Sequence, residues 1–380
     1  MRLLFHTAHP DMPTGYAQQA RDVIPRIAKL GHDPAISVSH GIDSHNTTWT
    51  APGGQVIPVY GKTPYGDVGQ DVVEGHYRDW GADLCVTFLC TWILNPAAWR
   101  DMNVMHLTPV DAEPMSAADY TVIAATGGLP AAVSKSGMAL MRKRGLRPVY
   151  LPHGIDTSVY KPPGDRDAMR AAVGLQDRFV VGINFMNTDK FRKHVAEQIR
   201  AFARFQATHP DALLALHTVA RLPEGFNLPA MLEHYGIPPR SILFSDQYQL
   251  VTGTCTPDML ASWYGTCDVT LHCGNEGFGL TRIESQACGT PVINAGWGTG
   301  PELCGAGWLV DGQLEYNDVH RADWRIPFIT SIEDALEKAY AEWQDPTGMR
   351  GQAREFAEGW DIDVIVRDHW GPVLADLAGD

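Results

Sequence analysis

Short apolar runs alternate with segments of helical period along most of this 380-residue chain, and this alternation constrains the fold more than any other feature. The pattern predicts a strand at Leu3–Thr7, followed by a helix whose apolar residues recur at spacings of three and four through 17–28. Gly31 is placed to end that helix, and Ala35–Val38 is the next predicted strand. The same succession recurs from Arg178–Phe185 onward. Strands that alternate with helices indicate parallel sheets covered by helices on both faces.

A segment rich in proline and glycine, Leu151–Asp165, interrupts the pattern near the middle of the chain and predicts a hinge. We therefore expect an α/β protein of two doubly wound domains, residues 1–160 and 161–350, facing each other across a cleft, with a helical segment at 351–380. Ligands bind such sheets outside the carboxyl ends of the strands, so the cleft is the expected site.

The composition is that of an ordered globular protein, with 44% hydrophobic and 19% charged residues. Thirty basic and 44 acidic side chains give a formal net charge of −14, which disfavours nucleic acid and anionic membranes as partners. The seven cysteines include no C-x-x-C pair, and their odd number favours a reducing compartment over a disulfide framework or a zinc site. No 18 apolar residues run together, and we expect a cytoplasmic protein.

The most informative segment covers residues 275–293. It follows a predicted strand and leads into a predicted helix that Gly289 ends. Gly277 and Gly279 allow its backbone to approach a ligand closely and to expose N–H groups. The helix that begins near Leu280 adds the positive end of its dipole, so this loop suits a diphosphate.

Two glutamates in this segment are candidate ligand-binding residues. Glu276 lies on the loop, where it is placed to accept hydrogen bonds from sugar hydroxyls. Glu284 lies in the first turns of the helix, within reach of a ribose. Thr281 and Glu284 also fit a capping box, and a loop carboxylate is usually just solvated, so both alternatives stay open at this point.

Taken whole, the run from Glu276 to Glu284 and the sequence Ala-Cys-Gly-Thr-Pro-Val-Ile after it closely resemble the E-x7-E signature of retaining GT-B glycosyltransferases. Further blocks resemble the same family in the same order: Thr14–Tyr16, Gly31–Pro34, Leu151–Pro162, Asp268–Val269 and Gly300–Leu303. The resemblance covers most of the chain. It implies two Rossmann-like domains and a C-terminal helix that crosses back onto the first domain.

The resemblance also implies a set of donor-binding residues. Glu276 and the loop amides would hold the donor sugar and phosphate, and Glu284 the nucleotide ribose. The implied donor-binding set is Gly15, Arg192, Lys193, Gly277, Phe278, Gly279, Leu280 and Glu284. For Gly15 the plainer alternative is a simple turn before the first helix.

Members of this family use a basic pair on the first βα loop of the C-terminal domain to neutralise the diphosphate. Lys193 matches the family lysine, whereas Asn187 or Thr188 stands where the arginine is usual. Arg192 or Lys190 is available to replace it. Without the other motifs, these basic residues would be taken as a solvated helix start.

The family also places a polar catalytic group after the fourth or fifth strand of the N-terminal domain. Asp111 is the first candidate and His106 the second, and Glu113 is a further possibility. A histidine among apolar residues, such as His106, is more often buried in a strand than catalytic.

We therefore expect a retaining, hexosyltransferase-type enzyme that transfers sugar from a nucleotide-sugar donor to a hydroxyl of a glycan, glycoside or protein side chain. No Asp-x-Asp motif lies near a predicted strand end, so neither a metal nor another cofactor is expected. Neither the donor base nor the oligomeric state is specified by the sequence. The alternatives are a GT-B sugar phosphorylase, a nucleotide-sugar epimerase, and a nucleotide-sugar-binding module without turnover.

Overall fold

The computed structural model describes residues 1–379 and divides into two compact units. Unit 1 consists of Met1–Ile155, Asn317–Asp323 and the segment that begins at Asp361, and unit 2 consists of Asp156–Tyr316 and Trp324–Trp360. The sequence placed the boundaries at 160 and 350, whereas the structure divides the chain at Ile155 and groups 351–360 with unit 2. Within residues 1–379, every helix is too short or too polar to cross a membrane.

Unit 1 contains an eight-stranded sheet in the order β3-β4-β2-β1-β5-β6-β7-β8, in which all neighbours are parallel except β3 and β4. Its strands are β1 (Arg2–Ala8), β2 (Asp33–His40), β3 (Thr47–Thr50), β4 (Val56–Tyr60), β5 (Leu84–Phe88), β6 (Val104–Thr108), β7 (Leu129–Ala132) and β8 (Val149–Tyr150). Its first helices are α1 (Gly15–Lys29), α2 (Val73–Trp80), α3 (Ala117–Thr126) and α4 (Lys135–Lys143).

The opening β-loop-α-β unit is as the sequence predicted. Strand β1 lies in the middle of the sheet and buries its apolar side chains completely. The Thr14 side chain caps α1 by accepting a hydrogen bond from the Ala17 amide, 3.1 Å away. Gly31 follows the last turn with a φ of +92°, a conformation that glycine adopts without strain.

Unit 2 contains a six-stranded parallel sheet in the order β11-β10-β9-β12-β13-β14. Its strands are β9 (Phe179–Asn184), β10 (Ala212–His217), β11 (Ile242–Phe244), β12 (Val269–His272), β13 (Val292–Ala295) and β14 (Gly307–Val310), and β15 (Gly312–Asn317) and β16 (Ala322–Pro327) form a separate two-stranded sheet. Its first helices are α5 (Arg166–Ala172), α6 (Val195–Thr208), α7 (Leu228–His234), α8 (Gln247–Thr252), α9 (Pro257–Thr266) and α10 (Leu280–Ala287).

The chain ends in a helical region made of α11 (Ile329–Gln344), α12 (Met349–Glu358), α13 (Ile362–Ile365), a π-helical turn at Val366–Trp370 and α14 (Gly371–Ala378). The part after Asp361 belongs to unit 1. There Trp370 is buried and packs against Phe5 and Phe88 of the central strands, with ring centroids 6.3 and 5.7 Å away. This C-terminal segment therefore completes the core of unit 1.

Candidate functional site

The glycine-rich segment of unit 2 forms the loop between β12 and α10, at the carboxyl end of a central strand. Gly279 is the N-cap residue of α10, with a φ of +99° and no side-chain cap. The Thr281 hydroxyl instead forms a hydrogen bond with Nδ1 of His272, 3.2 Å away. The capping box between Thr281 and Glu284 therefore does not form, and that alternative was wrong.

Glu276 lies between two basic side chains. Its Oε1 accepts a hydrogen bond from Nζ of Lys193 at 2.5 Å, and its Oε2 accepts one from Nη1 of Arg192 at 2.7 Å. The three side chains keep between 21% and 25% of their surface exposed, so the cluster opens to solvent. The cluster adjoins a cavity whose lining includes Asn184, Lys193 and Glu276.

The charges of this cluster control its protonation. Burial on its own raises the pKa of Glu276, but Arg192, Lys193 and Arg282 outweigh it and hold that pKa well below its ordinary value. Burial lowers the pKa of Lys193, and the Glu276 carboxylate opposes that shift. Three basic side chains thus surround the ionised Glu276 carboxylate, and a second carboxylate, Asp189, pairs with Arg192 at 3.4 Å. Three basic groups against two carboxylates leave one formal positive charge that an anion can balance.

The two candidates to replace the missing family arginine have different surroundings. Arg192 contacts Glu276, and its position is fixed because its Nη1 also donates to the Asn275 carbonyl at 3.1 Å. Lys190 is exposed on the same loop. Asn187 is buried and its amide group donates to the carbonyls of Val219 and Phe226 at 3.0 and 2.9 Å, which makes it a structural residue.

Glu284 is buried within the first turns of α10, with 2% of its surface exposed. Its Oε2 accepts a hydrogen bond from the Tyr264 hydroxyl at 2.8 Å, and that hydroxyl accepts one from Asn184 at the same distance. Burial, followed by the Glu284 charge, raises the pKa of Tyr264 well above its ordinary value. Sequence reasoning missed Tyr264 and Asn184, because only the fold brings them to Glu284.

The two other predicted donor-loop residues differ in exposure. Phe278 is buried and its ring contacts Trp360 with centroids 5.6 Å apart. Leu280 is the first residue of α10 and is half-buried. Phe278 thus anchors the loop, and the half-buried Glu276 and Gly279 are its more accessible residues.

In unit 1, the two candidates for a catalytic group have different surroundings. Asp111 follows β6 and is half-buried. His106 is fully buried within β6, where its ring forms hydrogen bonds with Thr87 at 3.3 Å and Thr126 at 3.0 Å, and burial lowers its pKa to about 4. His106 therefore has the surroundings of a core residue. Gly15 is the exposed first residue of α1.

Asp119 is a buried carboxyl group near Asp111 that sequence reasoning missed. It lies in the first turn of α3, where Ser116 donates to its Oδ2 at 2.7 Å. Burial raises its pKa to about 7, and the charge of Asp111 adds to the shift. No sequence motif marked it, since a carboxylate in the first turn of a helix is ordinarily a dipole partner.

The fold of the chain is GT-B, as the sequence predicted. The structure aligns with sucrose-phosphate synthase from Thermosynechococcus elongatus at a TM-score of 0.74, over 99% of this chain and 100% of that one, at 16% identity. It aligns with Anabaena HepE in complex with UDP-glucose at a TM-score of 0.69, over 99% and 100% of the two chains, at 15% identity. At such identities the likeness shows the fold alone.

Sequence comparison adds relatives that are named glycosyltransferases. The D-inositol 3-phosphate glycosyltransferase of Rhodococcus opacus is 35% identical over 236 residues, which cover 58% of this chain and 49% of the relative. One from Catenulispora acidiphila is 32% identical over 219 residues, or 54% and 51% of the two chains. The chain thus spans about half the length of the curated relatives it matches. No protein-family model matches it.

Proposed function

We propose that the protein is a hexosyl-type glycosyltransferase that moves a sugar from a nucleoside-diphosphate-sugar donor to a hydroxyl group with retention of configuration. The observation that carries the proposal is the cluster at the carboxyl end of β12, where Arg192, Lys193 and Arg282 outnumber the carboxylates of Glu276 and Asp189. The named relatives and a fold neighbour solved with UDP-glucose support this choice of reaction and donor class.

The excess positive charge of the cluster suits the diphosphate of the donor. In glycosyl transfer the leaving diphosphate gains negative charge in the transition state, and cations already fixed beside it stabilise that charge without reorganising. Arg192 and Lys193 are fixed in this way by Glu276. The amino terminus of α10 adds its dipole. The proposal therefore includes no metal or other cofactor, and we expect a chelator to leave transfer unchanged.

The two glutamates have separate roles in this proposal. The low pKa of Glu276 keeps its carboxylate ionised, so it accepts hydrogen bonds from sugar hydroxyls and is unsuited to donate a proton. A carboxylate has about four lone-pair sites, of which the two basic partners use two. Glu284, which Tyr264 holds in position, is assigned to the ribose. The departing diphosphate would accept the proton of the acceptor hydroxyl.

We assign the acceptor to unit 1, because Lys193, Glu276 and Glu284 all lie in unit 2. Asp111 follows β6, and parallel sheets place functional groups at such strand ends. A polar group there can orient an acceptor hydroxyl, and its loss costs rate through lost positioning. Calorimetry and a transfer assay on Asp111→Asn test this role: we expect unchanged donor affinity and transfer reduced about tenfold or more. A collapse of donor affinity, or untouched transfer, would reject it.

Two assays test the proposed function as a whole. A thermal-shift screen over nucleoside diphosphates and nucleotide sugars identifies the donor class, since a ligand at 100 times its Kd adds about 2.7 kcal/mol of stability. A donor-hydrolysis assay then detects released nucleoside diphosphate. Donor binding without any release indicates a binding module. Release of sugar phosphate with inorganic phosphate as acceptor indicates a phosphorylase, and conversion of the sugar without release indicates an epimerase.

A further inference from the structure

Arg282 lies beneath the loop between β12 and α10, and no motif drew attention to it. It is 1% exposed, and burial lowers its pKa only to about 10, so it is a buried cation at neutral pH. Its Nη2 donates to the carbonyls of Gly274 at 3.1 Å and His272 at 3.4 Å. Its Nη1 donates to the Phe278 carbonyl at 3.2 Å and to the Thr299 hydroxyl. One guanidinium thus ties together both ends of the loop.

Thr299 extends this arrangement to the middle of the loop. Its hydroxyl, buried to 1% exposure, is within hydrogen-bond distance of the carbonyls of Glu276 at 3.1 Å and Phe278 at 2.8 Å, and its single proton serves one of them at a time. Gly279 rests directly on the guanidinium, because a Cβ added there would lie 3.0 to 3.2 Å from Cδ, Nε and Cζ of Arg282. The loop backbone is therefore held from below by two side chains.

This support determines which way the peptide groups of the loop point. In a planar trans peptide the carbonyl and the following N–H point in opposite directions. Since the carbonyls of Glu276 and Phe278 face Thr299 and Arg282, the amides of Gly277 and Gly279 face away from them. The two glycine amides are thus turned together toward the opposite side of the loop.

Burying the guanidinium of Arg282 costs free energy. A buried charge costs free energy unless hydrogen bonds compensate it. Within residues 1–379, Nε of Arg282 has no hydrogen-bond partner, although the group is buried. A buried donor without a partner in a native protein calls for an explanation, and a constrained binding loop is one.

We infer that Arg282 and Thr299 are positioning residues, which set the orientation of the Gly277 and Gly279 amides for the phosphate and sugar of the donor. The inference rests on the proposed function. In this account the two side chains act through the loop backbone, because both Nη atoms of Arg282 and the hydroxyl of Thr299 face loop carbonyls. Their effect is on the backbone donors, which act as a preorganised pair.

Thr299 offers the cleaner test, because Thr299→Val removes the hydroxyl with little change in shape and Thr299→Ser restores it. We expect Thr299→Val to weaken binding of UDP, or of GDP if that is the nucleotide bound, about tenfold, which is about 1.4 kcal/mol. The matching nucleoside should bind as to wild type. Thr299→Ser should bind the diphosphate as wild type does. Calorimetry with UDP, GDP, uridine and guanosine measures these affinities. Unchanged diphosphate affinity in Thr299→Val would overturn the inference, and so would an equal loss of affinity for the nucleoside.

Hydrogen–deuterium exchange of the loop separates this inference from the proposed function. We expect peptides covering residues 273–283 to exchange faster in Thr299→Val than in wild type. Arg282→Lys should have the same effect, because lysine keeps the charge but lacks the two Nη donors of the guanidinium. Thr299→Ser should exchange as wild type does. Unchanged exchange in Thr299→Val would overturn the positioning role whether or not a nucleotide binds. If wild-type protein binds no nucleoside diphosphate and no nucleotide sugar in the thermal-shift screen, the proposed function fails, and the exchange result alone then decides the positioning role.

Discussion

At each end of strand β12 a carboxylate lies among basic side chains, and the two clusters differ in what balances their charge. At the amino end, Asp268 accepts hydrogen bonds from Arg166 at 2.5 Å and Arg170 at 3.1 Å, and its side chain is 4% exposed. The Val180 amide donates to the same carboxylate at 2.8 Å. At the carboxyl end, Glu276 stays about a fifth exposed. The first cluster is closed and the second is open.

The helix end nearest to each cluster explains this difference. At the amino end, Arg166 donates to the carbonyls of Gly265 and Cys267 at 2.9 and 3.0 Å, and Arg350 donates to the Cys267 carbonyl at 3.0 Å. These carbonyls end helix α9, whose negative dipole end takes up the surplus positive charge. At the other end of β12, helix α10 begins at Leu280 and presents its positive end. At that end the helix dipole adds to the excess of basic side chains over the carboxylates of Glu276 and Asp189.

The largest effect expected from this comparison is on stability, from Asp268→Asn. The change leaves the buried Arg170 and the half-buried Arg166 without their carboxylate, and breaking a buried pair costs about 3 to 5 kcal/mol. Urea unfolding followed by tryptophan fluorescence measures the loss. Transfer per folded molecule should stay at the wild-type level. A stable variant with impaired transfer would show that the closed cluster has a functional role.

Glu276→Gln should have the opposite profile. Transfer should fall at least about a hundredfold, or about 2.7 kcal/mol of transition-state stabilisation, while the fold survives. Steady-state kinetics and circular dichroism check the two parts. Glu315→Gln, at an exposed site on β15, makes the same charge change and serves as the control. Wild-type turnover in Glu276→Gln would remove the central claim.

The sequence predicted the parts of this site that local pattern determines. The strand–loop–helix around Glu276 follows from glycine positions and apolar periodicity within a short stretch of chain, whereas Lys193 was implied by the family resemblance. Arg282 was missed because its partners are mainly backbone carbonyls, which no residue pattern marks. Tyr264 was missed because its partners Glu284 and Asn184 come from other segments of the chain. The open choice between Arg192 and Lys190 had the same origin, since only the folded loop shows which side chain reaches Glu276.

The N-terminal domain shows the same limit. The periodicity of β1 and α1 predicted both elements, because each buries a regular set of apolar residues. The surroundings of His106 depend on Thr87 and Thr126, which come from other elements and carry no sequence signal for the contact. The separate sheet of β15 and β16 was not predicted, since most of β15 is exposed and lacks a continuous apolar run.

Lys193→Ala tests whether the charge of the open cluster serves a phosphate. We expect nucleoside diphosphate affinity to fall about thirtyfold, about 2 kcal/mol, because a hydrogen bond to a charged group is lost, with nucleoside affinity unchanged. Calorimetry at fixed ionic strength is required, since salt screens such contacts. Lys190→Ala removes an exposed charge from the same loop and is the matched control. Equal losses for diphosphate and nucleoside would make Lys193 a structural residue.

The smallest effect, on acid stability, follows from the direction of the Glu276 pKa shift. That pKa lies below its ordinary value of 4.5 in the folded protein, so the folded state binds this proton less readily than the unfolded state. The group therefore contributes stability above about pH 4.5, and the contribution is lost as the pH falls toward the folded pKa, by about 1.4 kcal/mol per pH unit. The difference in unfolding free energy between wild type and Glu276→Gln should be constant from pH 7 to 5 and shrink below pH 4.5. Other titrating groups cancel in that difference, and urea unfolding at each pH measures it. If the difference in unfolding free energy stayed constant down to pH 3, the basic side chains would not hold the Glu276 carboxylate ionised in solution. The open cluster would then lack the charge arrangement that distinguishes it from the closed cluster.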